Sequence, residues 1–94
     1  MAPAAPPAEP PIADLTTYSC ADLIPDVLAI AKENSYNLVK IYNPVEDMKS
    51  RGEIRCTGSA LLSTGGAEVP LYFRAYLDRD LDVIVEYNSF PFAP

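Results

Sequence analysis

From Glu53 onward apolar and polar residues alternate with little interruption, and turn signals cut the alternation into three strands. Over residues 53–63, Ile54, Cys56, Gly58, Ala60 and Leu62 share one face, with Arg55, Thr57, Ser59 and Leu61 on the other. Thr64-Gly65-Gly66 is a hairpin signal, and residues 68–78 follow with Val69, Leu71, Phe73, Ala75 and Leu77 on one face and Tyr72, Arg74 and Tyr76 on the other. Asp78-Arg79-Asp80 turns the chain into residues 81–88, where Leu81, Val83, Val85 and Tyr87 face inward and Asp82, Ile84 and Glu86 outward. An earlier run, residues 37–42, reads as a first strand. Asn43-Pro44 is predicted to end it, because proline has no ladder donor and restricts the residue before it. The polar stretch VEDMKSRG then reads as a loop.

Ahead of the strands the period changes from two to about 3.6. Ile24, Val27, Leu28 and Ala31 recur at helical spacing, Ser19 can cap the helix, and Asp22 three residues later makes a weak capping box. Pro25 predicts a short turn over residues 20–24 and a main helix that starts or kinks there and runs to about Asn34. The order of elements predicts an α+β fold, with one N-terminal helix packed on a four-stranded antiparallel β-meander, since short connections place sequential elements side by side.

Before the helix the pattern disappears. Residues 1–14 hold five of the chain's ten prolines and few bulky apolar groups, so residues 1–17 are expected to form a polyproline-like linker, 18–90 the domain, and 91–94 a flexible tail. P-x-x-P matches at Pro3–Pro6 and Pro7–Pro10 lack the flanking arginine of an SH3 ligand.

A domain of this size buries only about 60% of the surface its unfolded chain exposes, so a cross-link matters. Cys20 begins the helix and Cys56 lies on the core-facing side of a strand, so the two can meet across one helix–sheet interface. The loop-entropy model assigns such a bridge about 4 kcal/mol. The competing reading is two reduced, buried cysteines behaving as small hydrophobes. A bridge implies an oxidising, exported compartment: periplasm, cell surface or medium. The N-terminus lacks the basic and apolar regions of a signal peptide, so export calls for a removed signal or membrane anchor, and membrane tethering through such an anchor stays open.

Charge and residue types narrow the chemistry. Thirteen acidic against seven basic residues give a net charge of −6, which argues against nucleic acid and anionic membrane as partners. With no histidine, the commonest general base and metal ligand is missing, and two distant cysteines make a poor zinc set, so no catalytic residue, metal or cofactor is expected. Asp78, Asp80 and Asp82 have the spacing that opens an EF-hand loop, but Val83 stands where glycine is required and Ser89 where glutamate is. Asp22 and Asp26 lie a helical turn apart near a helix N-terminus, which explains both without catalysis.

One surface remains. The face away from the helix is expected to gather Lys40, Tyr42, Arg55, Tyr72, Arg74 and Tyr76, with Ile84 beside them, and tyrosine and arginine are residues that protein interfaces favour. The plainer reading is a solvated sheet face with an Arg74–Glu86 ion pair.

The run C-A-D-L-I-P at residues 20–25, with I-R-C-T-G at 54–58, resembles a pattern in small secreted or lipid-anchored bacterial domains of uncharacterised function. The resemblance implies an exported location and no particular activity. The helix-on-meander shape also resembles cystatin-like inhibitors by architecture, although their Q-x-V-x-G loop is missing here. The expected function is a monomeric, non-enzymatic exported module that binds protein. The alternative is an inhibitor or immunity-type protein presenting residues 44–52 or the Gly65-Gly66 hairpin.

Overall fold

The computed structural model describes residues 14–93. The proline-rich stretch 1–13, with its P-x-x-P matches, lies outside the described residues. The rest is an α+β fold: a single 3₁₀ turn (Leu15–Thr17), helix α1 (Cys20–Glu33), and strands β1 (Leu38–Lys49), β2 (Glu53–Leu62), β3 (Val69–Leu77) and β4 (Val83–Asn88). The strands form one antiparallel sheet in the order β1-β2-β3-β4, with α1 on one face. Cys20 and Cys56 are bonded across that interface, their Cα atoms 5.9 Å apart.

Helix α1 starts where the capping box puts it. The Ser19 side chain accepts from the Asp22 backbone N–H, and the Asp22 carboxylate accepts from the Ser19 N–H at 2.9 Å. Hydrogen bonding from the Ser19 N–H, and after it from the Ser19 hydroxyl, holds the Asp22 carboxyl below the usual carboxylate range. Pro25 does not start the helix, contrary to one expectation: α1 begins at Cys20 and its assignment is continuous through the proline. The amide bond Pro25 cannot make would go to Ala21, which lies with Pro25 on the exposed side in the first two turns. The buried stripe is Cys20, Leu23, Val27 and Ala31, while Ile24 and Leu28 are only half-buried. The stripe is therefore rotated from the one read off the spacing.

Three further expectations change. The fold begins before Tyr18: Leu15 is fully buried in the core, and its N–H donates to the Arg51 carbonyl at 3.1 Å. Asp14 caps that 3₁₀ turn, and hydrogen bonds from the Thr16 hydroxyl and N–H keep its carboxyl below the usual range. Leu81, expected to face inward, sits at φ 64° in the turn before β4 and is exposed. Most of the polar stretch after Pro44 is strand, so residues 44–52 do not form the projecting loop expected of an inhibitor.

Pro44 is accommodated by a β-bulge. Tyr42 pairs with Ser59 and Val45 with Thr57, so Asn43 and Pro44 together oppose Gly58, and the proline's missing donor falls where the ladder requires none. Asn43 takes φ 51°, a left-handed conformation that asparagine tolerates better than most residues. Gly58 makes the bend tight: a Cβ there would stand 2.5 Å from Cγ2 of buried Ile41. Further register shifts fall at Val39 and Asp47 and break up this edge strand.

Candidate functional site

The outer face of the sheet is ordered by register. Three cross-strand rows run over it: Val45–Thr57–Tyr72–Asn88, then Met48–Arg55–Arg74–Glu86, then Glu53–Tyr76–Ile84. Arg55, Tyr72, Arg74, Tyr76 and Ile84 come together as expected. Tyr42 pairs with Ser59, in the row next to Val45–Thr57–Tyr72, so it borders the group, whereas Lys40, 5.1 Å over the Tyr42 ring, pairs with Leu61, six steps along β2 from Arg55 or about 20 Å away.

At the centre, Arg74 is engaged on every side. Its Nε and Nη2 donate to the Glu86 carboxylate at 2.8 and 2.5 Å, and its Nη1 donates to Glu53 at 2.9 Å. The same Glu53 oxygen accepts from Arg55 Nε at 2.8 Å. Two arginines facing each other across β2 and β3 would repel, and Glu53 lies between them as the shared counter-ion. Partial burial pushes the Glu53 carboxyl up, but hydrogen bonds from Arg55 and then Arg74 outweigh it and hold the group below its usual range. Burial likewise works against the Arg74 cation, and its bonds to Glu86 and Glu53 reverse that and raise its pKa. With two arginines set against two glutamates, the cluster is internally neutral.

The faces of the Arg74 guanidinium are occupied as well. Its carbon lies 4.6 Å from the centroid of the Tyr76 ring and 4.6 Å from that of Phe92. Phe92 comes from the segment after β4. Of the residues expected to form a tail, Pro91, Phe92 and Ala93 have neighbours on the sheet, Arg55 Nη2 donating to the Ala93 carbonyl at 2.8 Å, and Pro94 lies outside the described residues. Beside this contact a cavity of about 240 Å³ remains, walled by Asp47, Thr57, Tyr72 and Arg55 on the sheet side and by Pro91 and Phe92 opposite. The Thr57 hydroxyl donates to Asp47 within that wall. The space is below the range of about 300–1,000 Å³ typical of small-molecule sites and suits a side chain better than a metabolite.

The pattern along the chain missed four participants. Glu53 shares the outward parity of Arg55, so alternation alone could have found it. Val45 and Met48 were hidden by ending the first strand at Pro44; both are exposed, at 57% and 39%. Phe92 carries no local signal, because its contact to Arg74 is made by the path of the chain after β4.

The acidic turn is accounted for locally. The Asp78, Asp80 and Asp82 carboxylates lie within 4.8 Å of one another, and one Asp78 oxygen accepts from the N–H groups of Asp80 and Asp82 at 2.8 and 3.0 Å. That carboxylate closes an Asx turn. Among the described residues no polar or charged side chain is fully buried. Comparison with protein-family models, with curated proteins and with solved structures finds no match to this chain.

Proposed function

We propose that this chain is a non-enzymatic, exported protein-binding module, acting as a monomer through the outer face of its sheet. The observation that carries this reading is the company kept on that face: exposed Val45 and Met48 flank half-buried Tyr72, Arg55, Arg74 and Tyr76, on a protein whose net charge is −6. Methionine, tyrosine and arginine are enriched at protein interfaces because they combine contact area with hydrogen-bonding or polarizable tips. The disulfide supports an oxidising compartment. A neutral charge cluster suits an uncharged protein surface better than phosphate or a carboxylate-rich ligand.

The test uses affinity capture from a cell-envelope fraction of the source organism, with the wild-type chain and with Met48→Ala and Tyr72→Ala variants. A protein retained by the wild type and lost from both variants is the expected result. Equal retention by all three removes the reading. An inhibitor or immunity role is the second reading, and the feature that favours it is the exposed turn around Gly65 and Gly66, both at positive φ. A partner lost on substituting that turn and retained by Tyr72→Ala would favour this second role.

A further inference from the structure

The segment after β4 shows what chemistry this face accepts. Phe92 lays its ring on the open side of the Arg74 guanidinium, and the next residue offers its carbonyl to Arg55. Both contacts use groups of the sheet that the ion pairs leave available. Arg74 has turned three of its five N–H groups to Glu53 and Glu86 and offers the ring a face, while Arg55 keeps an N–H beyond its bond to Glu53. The site therefore asks for an aromatic ring followed by a main-chain carbonyl.

The resident segment meets that request incompletely. The cavity of about 240 Å³ stays open between Pro91, Phe92 and the sheet, and Phe90, two residues earlier, is 74% exposed. A segment that leaves space beneath it and a large ring in water is held weakly, because unfilled contact forfeits dispersion and burial.

We infer that residues 89–93 are an intramolecular occupant of a peptide-binding site, and that the site's external ligand is an extended, uncharged segment with an aromatic residue at the Phe92 position. This rests on the protein-binding reading above and names the partner's chemistry. The occupant is a competitor: an external segment binds only the fraction of molecules whose own segment has lifted, so its apparent affinity is reduced by that fraction. The two arginines do not call for an acidic ligand, since they are already matched by Glu53 and Glu86, and the Asp47 carboxylate in the cavity wall disfavours one.

The experiment titrates a capped Ser-Phe-Pro-Phe-Ala-Pro peptide into the 94-residue chain. Wild type and Phe92→Ala are compared, with the side-chain Nε–H signals of Arg74 and Arg55 followed by NMR. In the wild type the Phe92 ring current displaces the Arg74 signal, and Phe92→Ala abolishes that displacement. Peptide added to Phe92→Ala should restore it and bind roughly fivefold more tightly than it binds the wild type, the factor expected from removing one exposed cation–π contact. A peptide with both phenylalanines replaced by alanine should do neither. Failure to restore the Arg74 signal overturns the inference, and so does equal affinity for wild type and Phe92→Ala. Either failure leaves the protein-binding reading standing if envelope capture is still lost in Met48→Ala and Tyr72→Ala.

Discussion

The two faces of strands β2 and β3 are built from alternate residues of the same segments and are held by different physics. On the inner face Ile54, Cys56, Ala60, Leu71, Phe73 and Ala75 are all buried under α1, and nothing among them needs a hydrogen-bond partner. On the outer face Glu53, Arg55, Tyr72, Arg74 and Tyr76 are half-buried, with Phe92 over Arg74 and the Ala93 carbonyl on Arg55. There the polar groups tolerate partial burial because each arginine is paired and the tyrosine and phenylalanine rings cover the guanidinium. Burial on the inner side is non-directional and tolerates any apolar residue that fits. On the outer side it depends on four charges arriving in register, and losing one leaves its partner exposed to a like charge.

The inner face should carry most of the stability, and the bridge is where that shows most. Cys20 and Cys56 close a loop across 36 positions, for which the chain-entropy model gives about 4 kcal/mol. The double variant Cys20→Ala, Cys56→Ala should lose about that amount in denaturant unfolding, as a lower midpoint. The outer-face signals of Arg74 and Arg55 should persist below that midpoint. A loss under 1 kcal/mol would mean that α1 is held to the sheet by burial of Leu23, Val27 and Ala31 without need of the staple.

The same contrast explains what was legible along the chain. Strands β2 and β3 are readable because one face is buried over most of its length, which forces a strict period of two, and the cysteine pairing follows from that phase. Where an element is held by a single special contact, the pattern misled. Pro44 read as a strand end because the rule against proline assumes a regular ladder, and the bulge opposite Gly58 suspends that ladder. Pro25 read as a helix start because the rule treats every lost amide bond as costly, whereas this one falls in the first turns on the exposed side. Leu15 and Phe92 are long-range contacts, to Arg51 and Arg74, and nothing local marks them. The outer face was half legible for this reason: its alternation showed the rows, but neither the cover over them nor the neutrality of the cluster.

Gly58 tests where the two faces meet. It lies on the buried side of β2, opposite Asn43 and Pro44, and a methyl group there would press on Ile41 Cγ2 at 2.5 Å and come within 3.3 Å of the Tyr42 carbonyl. Ile41 is itself buried, and its β-branched side chain has little rotamer freedom with which to retreat. Gly58→Ala should cost about 1–3 kcal/mol by overpacking and should shift the β1 resonances around the bulge. An unchanged midpoint would show that β1 can straighten, and Val45 and Met48 would then lose their fixed place on the outer face.

The smallest effect distinguishes the faces by pH. Glu53 has a folded pKa below its unfolded value, so its contribution is complete above the ordinary glutamate pKa of about 4.3 and is lost as pH falls through the folded value. Asp14 and Asp22, whose hydrogen bonds also lower them, act in the same direction. Glu53→Gln keeps the shape but removes the shared counter-ion of Arg55 and Arg74, and at pH 7 it should cost about 1 kcal/mol. Because glutamine does not titrate, wild type should lose stability faster than the variant between pH 5 and pH 2.5, and the two curves should converge at the acid end. The shared slope that remains belongs to Asp14, Asp22 and the other carboxylates. A gap that stays constant with pH would place the role of Glu53 in packing and hydrogen-bond geometry, and the outer face would then be held by the same undirected burial as the inner one.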